Sequence, residues 1–290
     1  MNEAMQQRST TTAVSGSSKS DRSLKPQELS ELGSSSINIE PRAKHSRRCV
    51  SLSSRCRCAI AGITLAAAAG ASAVVIFLSN SGPPRTVDYS SYVMPSGASS
   101  LKAVIVPGCC NEGVDVRGAL FYGWLAARLK QHPLFDEVVL ENMPDPHLAR
   151  RSTWIPYMLH TLGVDNRTVL IGHSTGSVAS MRLSEKHRTH GLVLLSTCHT
   201  DLGRPDETIS GYYPPSGGPW LWDSIQANAG GGNIAILHSV DDSIVPFDEG
   251  KYVAQKLDVE MHVASGQSHF FRPYEPIFDA VIRVAETRQA

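Results

Sequence analysis

The chain has 290 residues, of which 41% are apolar and 19% charged, proportions that exclude wholesale disorder and collagen-like repeats. Basic and acidic side chains balance at 27 each, but residues 1–57 carry ten basic against five acidic groups, so the remainder is acidic. An acidic folded part excludes a nucleic-acid-binding globular domain, which needs a basic face, and six cysteines do not make a disulfide scaffold.

Residues 1–57 are rich in serine, include the run Ser34-Ser35-Ser36, and contain no aromatic residue. Without large apolar side chains such a stretch cannot offset the entropy of ordering, which predicts a disordered tail. Its end gathers Arg42, Lys44, Arg47, Arg48, Arg55 and Arg57 with no acid among them. Then comes CAIAGITLAAAAGASAVVIFL, Cys58 to Leu78, free of charge, Asn, Gln and Pro. As a helix it would extend about 31 Å, close to the hydrocarbon thickness of a bilayer. The pattern predicts a single-pass transmembrane anchor over 58–79, with a buried Ala-rich helix as the alternative. The basic residues in front of it place the N-terminus in the cytosol. A mitochondrial membrane or a soluble cytoplasmic protein are the other placements. Cys49, Cys56 and Cys58 sit where palmitoylation occurs, and Asn166-Arg167-Thr168 is a glycosylation sequon with meaning only if that part is translocated. Residues 80–100 form a Gly/Pro/Ser-rich linker containing Pro83-Pro84, and 101–290 form the folded domain.

Within that domain KAVIVP (102–107) is the first expected strand, followed by a helix over Phe121–Lys130. VVLENM (138–143) is the next strand and Trp154–Leu162 the next helix; TVLIG (168–172) leads through a turn into a helix running to about His187. GLVLLS (191–196), NIAILHS (233–239) and MHVAS (261–265) give three more strands, and Ile277–Arg288 a closing helix. Continuous Val/Ile/Leu strands separated by helices predict an α/β fold, a mostly parallel sheet with helices on both faces. Its site is expected beyond the carboxyl ends of the strands.

Gly172-His173-Ser174-Thr175-Gly176 follows a strand and opens a helix, the context a nucleophile elbow requires. The turn is so tight that its neighbours must be small, and in return the Ser174 hydroxyl stands above the sheet near helix N-terminal amides. A serine hydroxyl needs a base, and the base a carboxylate, in the chain order Ser, acid, His. Of the late histidines, His262 lies inside an expected strand, whereas His269 lies in the loop after it and is chosen as the base. The acid comes from Asp241-Asp242 after NIAILHS. Asp242 is preferred because it begins D-x-x-V-P, a turn able to hold a carboxylate, while Asp241 would cap the loop or stay solvated. The oxyanion hole would use the backbone amides of Thr175 and Cys109. The Cys109-Cys110 pair is expected to matter through its backbone, since no histidine in that loop would activate a thiol. No metal-ligand spacing or phosphate-cradling glycine loop is present in the sequence. Between the fourth and fifth strands there is too little chain for a large cap, which predicts a shallow pocket partly walled by Trp220, Trp222, Tyr212 and Tyr213, with plain core packing of these aromatics as the equal alternative.

Taken with KAVIVPG, FYGWLAARL, ENMPDPHLARRSTWIPYM, VLIGHSTGSVASMR, LGRPDETISGYY, PWLWDSIQAN and HSVDDSIVP, the domain resembles small serine hydrolases of the retinoblastoma-binding protein 9 type, within the α/β-hydrolase superfamily. The resemblance implies an α/β-hydrolase fold and a triad on Ser174, Asp242 and His269. It also implies ester or amide cleavage of a small molecule through an acyl-enzyme, with no metal or organic cofactor. The chain departs from the pattern after Pro107-Gly108, where Cys-Cys-Asn-Glu-Gly replaces a glycine-rich loop, and in carrying the tail and expected anchor. The acidic-cysteine motif for retinoblastoma protein is absent, so that partner is not implied. Two alternatives keep the fold: a non-catalytic binding module, and an acyltransferase or thioesterase using the same three residues.

Overall fold

Six short runs rich in Val, Ile and Leu form strands because such side chains pack well on a pleated surface covered from both sides. In the computed structural model, which describes residues 86–94 and 100–287, they are β1 (Leu101–Val106), β2 (Phe135–Leu140), β3 (Thr168–His173), β4 (Gly191–Leu195), β5 (Ile234–Ser239) and β6 (Met261–Ala264). All pair in parallel, in the order β2-β1-β3-β4-β5-β6. Val104 stands opposite Val139 on one side and Leu170 on the other. The helices between and after them are α1 (Tyr122–Leu129), α2 (Arg151–His160), α3 (Thr175–Ser184), α4 (Pro205–Ser210), α5 (Trp222–Asn228), α6 (Phe247–Lys256) and α7 (Glu275–Glu286).

Alternate strand residues feed two separate cores. On one face Ala103, Ile105, Val169, Ile171, Val193 and Leu237 pack with Leu125 and Leu129 of α1 and Val281 of α7. On the other, Val104, Leu170, Leu192, Leu194 and Ile236 pack with Trp154 of α2, Met181 of α3 and Val253 of α6. Both faces of the four central strands are therefore dry, which is why β1, β3, β4 and β5 read as unbroken apolar runs, whereas the edge strands β2 and β6 keep exposed positions.

Several boundaries differ from expectation by one to three residues, and two have a visible cause or consequence. β2 ends at Leu140 instead of Met143, because its pairing with β1 stops at Ile105–Leu140. Asn142 then turns its side chain to the amide of Val116, 2.9 Å away. α2 begins three residues early, at Arg151, and carries Pro156 inside it. Helices α4 to α6 were not expected from the sequence. The buried side of α6 is Gly250, Val253 and Ala254, small because His238 lies beneath it: a Cβ at Gly250 would sit 2.2 Å from its Nδ1.

Part of the expected linker is docked on the domain. Tyr89 and Tyr92 each set their rings 4.7 Å from His132, and the Tyr92 hydroxyl donates to Glu286 at 2.9 Å. The tail (1–57) and the expected anchor (58–79) lie outside the described residues. Among the described residues no helix is long and apolar enough to cross a membrane, so the expected transmembrane helix is not part of the fold described.

The strand order places the site. β1 lies between β2 and β3, so the chain leaves β1 toward one edge and returns past it to β3. A crevice opens outside the carboxyl ends of neighbouring strands where the winding reverses. The loop after β1 and the turn after β3 meet there.

Candidate active site

Ser174 sits between the last residue of β3 and the first of α3 with φ 54° and ψ −125°, a region that side-chain-bearing residues rarely occupy. The flanking glycines are required by contact. A Cβ at Gly172 would lie 2.5 Å from the carbonyl oxygen of Gly176, and one at Gly176 would lie 2.2 Å from the carbonyl oxygen of Val106. The elbow is tied to β4 by the Ser174 amide, which donates to Leu195 at 2.9 Å. The loop after β1 lies against the serine, since a Cβ at Gly108 would be 3.2 Å from Ser174 Cβ. Thr175 heads α3, so its amide has no acceptor within the helix. Among the described residues the Cys109 amide has no acceptor either. Cys109 and Thr175 line one small cavity together with Ala149 and Glu207.

Asp242 follows β5 and its carboxylate is fully buried. Oδ1 accepts from the amides of Ile244 and Val245, both at 2.9 Å, the fold-back that the D-x-x-V-P pattern predicts. Oδ2 accepts from Ser196 Oγ at 2.6 Å and from His269 Nδ1 at 2.8 Å. Burial pushes the Asp242 carboxyl up, but the hydrogen bond and charge of His269, with the Ser196 and Val245 donors, outweigh it and hold the pKa at about 2. Asp241 anchors the histidine loop: it accepts from Ser239 Oγ and from the amides of Gly266 and Ser268. His269 itself is 4% exposed. His262, in β6, faces the hydroxyl of Tyr274 at 3.2 Å and takes no part.

A buried chain of polar groups ties these loops together. The Gly108 amide donates to the Tyr122 hydroxyl at 3.0 Å, that hydroxyl meets His173 Nδ1 at 2.6 Å, and His173 Nε2 reaches the carbonyl of His269 at 3.1 Å. Burial, reinforced by the neighbouring His269, lowers the His173 pKa well below its ordinary value, so the ring is neutral. A neutral ring bonded to a carbonyl must carry its proton on Nε2, which leaves Nδ1 to accept from Tyr122. Asp242 and His269 are thus joined directly, whereas Ser174 is linked to His269 through residue 173. No hydrogen bond joins Ser174 Oγ to the His269 imidazole among the described residues.

Tyr122, His173 and Ser196 were not singled out by sequence for these contacts, whereas Asp241 was expected either to cap a loop or to stay solvated and does the former. His173 occupies the variable position of the elbow motif and Tyr122 the buried side of a helix, and only tertiary contact distinguishes them from core residues. The expected aromatic wall is corrected: Tyr212 and Tyr213 are core residues, 0% and 2% exposed. Trp220 stacks on Trp222 and lies under the Arg182 guanidinium, 3.7 Å from the ring centroid. A cavity of about 160 Å³ lies under the loop after β1, lined by Pro107, Gly108, Asn111, Met143, Pro146 and Trp154; Gly108 is its link to the elbow, and Ser174, Asp242 and His269 do not line it. A larger cavity, about 480 Å³, is edged by Arg150, Arg151 and Lys186 and includes none of the candidate residues. Among the described residues no group of three or more His, Cys, Asp or Glu could hold a metal ion.

The carboxylates make stability depend on acid. Glu249 is also held at about 2: burial raises it, but His199 and the Thr200 hydroxyl lower it further. Folded pKa values below the ordinary 3.8 and 4.5 mean stability that is complete above about pH 5 and lost as pH falls toward 2. Asp242 alone contributes about 2 kcal/mol by this route. His132, His173, His190 and His238, all lowered first by burial, add a decline that begins near pH 6.5. Urea midpoints measured from pH 7 to 2.5 are therefore expected to fall from about pH 6.5 and to go on falling below about pH 5; a flat profile to pH 3 would contradict the assignment.

Comparison with known proteins agrees with this architecture. The family model described as Serine hydrolase matches residues 104–272. Serine hydrolase RBBP9 of Rattus norvegicus is 40% identical over 190 residues, 66% of this chain and 96% of that protein. The crystal structure of the ydeN gene product from B. subtilis superposes with a TM-score of 0.53 at 23% identity, covering 64% of this chain and 98% of that one, a likeness of fold. The expected single-pass membrane placement with a cytosolic N-terminus is corrected at this point. The relative is matched over nearly its whole length by 190 residues, so the domain is accounted for without a membrane segment, and no described helix could span one.

Proposed function

Because the chain belongs to the serine hydrolase family, we propose that Ser174, His269 and Asp242 form its catalytic triad and cleave ester or amide bonds of small molecules through an acyl-enzyme. The observation that carries this reading is the bond from His269 Nδ1 to the buried Asp242 carboxylate at the rim where the strained Ser174 stands. Asp242 fixes the imidazole with its proton on Nδ1, which leaves Nε2 to take the serine proton. Hydrogen bonds in empty sites are often long, and the Ser174 hydroxyl closes on Nε2 as substrate fills the space beside Gly108.

The serine oxygen then attacks the acyl carbonyl, and the amides of Cys109 and Thr175 receive the negative charge of the tetrahedral intermediate. His269 gives its proton to the departing alcohol or amine, and water, activated by the same imidazole, releases the acid. A neighbouring cavity of about 160 Å³ supports short acyl groups. The wild-type protein is expected to hydrolyse p-nitrophenyl acetate and butyrate faster than long-chain esters, and Ser174→Ala to lose roughly a thousandfold or more in kcat. Turnover by the alanine variant within tenfold of wild type would overturn the assignment.

A further inference from the structure

The sequence gives Cys109 and Cys110 only a backbone role, but their side chains are not idle in the fold. The two sulfurs stand 2.9 Å apart, in contact, on the loop that lies against Ser174. Both residues are half-buried, unlike Cys198, which is buried against the Tyr213 hydroxyl at 3.3 Å. Cys110 is held at φ 67°, a left-handed conformation that favours glycine, with its amide donating to the Pro146 carbonyl at 2.6 Å. We propose that Cys109 and Cys110 form a reactive dithiol that takes low-molecular-weight disulfides and closes into a reversible vicinal disulfide, withdrawing the oxyanion amide of Cys109. The hydrolytic consequence rests on the triad and oxyanion assignment above; the dithiol chemistry does not.

The two sulfurs have unequal roles. The Cys110 thiol is pulled below its ordinary pKa, first by the hydrogen bond from Cys109, with the Arg204 charge assisting against burial. The Cys109 thiol is raised, first by that same hydrogen bond and then by burial. Cys110 is accordingly the attacking thiolate. It displaces one thiolate from the incoming disulfide, forming a mixed disulfide at its own sulfur. The displaced thiolate takes the Cys109 proton, and the Cys109 sulfur attacks the Cys110 sulfur and expels the second thiolate. Two protein thiols lose two electrons, and one small disulfide becomes two thiols.

Adjacent Cα atoms are about 3.8 Å apart, shorter than the roughly 4.4–6.8 Å that disulfides ordinarily span, so the bond is strained and readily reversed by thiol. Closing the ring must turn the peptide between the two residues. That peptide carries the amide bonded to Pro146, and its movement shifts Cys109 against the elbow. Loss of one oxyanion donor lowers turnover by roughly a hundredfold.

The test treats the full chain with oxidised glutathione, alkylates it, and digests it with trypsin; residues 103–117 form one peptide holding both thiols. The expected peptide is unalkylated and about 2 Da lighter than the dithiol form. Hydrolysis falls roughly a hundredfold, and dithiothreitol restores both readings. Cys110→Ser keeps basal hydrolysis and loses the sensitivity. A peptide that stays fully alkylatable, or that stops at a stable glutathione adduct, would overturn the dithiol; ring closure without change in hydrolysis would overturn its link to the oxyanion amide. Ser174→Ala protein should still close the ring. If it does so while still hydrolysing ester, the triad reading fails and the dithiol stands.

Discussion

Asp242→Asn is expected to lower kcat by about 10⁴-fold while leaving the protein folded. The carboxylate has two distinct duties. Oδ1 holds the loop through the amides of Ile244 and Val245, and the carbonyl oxygen of asparagine can keep both bonds. His269 Nδ1 lies 2.8 Å from Oδ2 and 3.0 Å from Oδ1, and on the Oδ2 side, where Ser196 Oγ also donates, asparagine places an NH₂ group. Ser196 can rotate its hydroxyl to accept. His269 can accept only by moving its proton to Nε2, the nitrogen that must be free to take the serine proton. The wrong tautomer is thus locked in by a side chain of the same shape. Steady-state kinetics on p-nitrophenyl acetate, with circular dichroism to verify folding, should show the loss in kcat with KM little changed. A folded variant retaining a tenth of wild-type kcat would show that Asp242 does not orient the base.

Arg182→Leu is expected to cost about 3–5 kcal/mol of stability, the largest such effect of any single substitution considered. The Arg182 side chain is 1% exposed and pairs with Glu185, itself 3% exposed. Its guanidinium also donates to the carbonyls of Tyr212, Gly218 and Pro219, holding the segment between α4 and α5 onto α3. Leucine fills part of the volume and lies under Trp220, but it leaves those carbonyls without that donor and the Glu185 carboxylate with the Leu221 amide at 3.2 Å and the Arg151 guanidinium at 3.5 Å. Arg182→Leu with Glu185→Leu should recover part of the loss, because the unpaired charge is then absent. Urea unfolding of the single and double variants decides it; equal loss in both would place the effect in the carbonyls alone.

The parallel sheet was legible because both its faces are buried, so each strand announces itself as an apolar run such as TVLIG or GLVLL. Ends were less legible: β2 stops at Leu140, where its pairing with β1 ends, and Met143 beyond it belongs to the loop. Helix α6 escaped because its inner face is made small by His238, a contact distant along the chain. The site followed the same division. Ser174, Asp242 and His269 were nameable because local rules of turn size and chain order constrain them. Tyr122, His173 and Ser196 were not, because a hydroxyl or imidazole that bridges two loops looks in sequence like any other polar residue near a core. The aromatic residues 212 and 213 misled for the same reason: composition shows that they are large, not which way they face.

The most direct test is to treat the full-length protein with a fluorophosphonate and map the adduct by mass spectrometry. A single stoichiometric adduct on Ser174, absent from Ser174→Ala and slowed in both Asp242→Asn and His269→Ala, is the expected result. An adduct on another residue, or unchanged labelling of the alanine variant, would contradict the assignment of the nucleophile and the mechanism built on it.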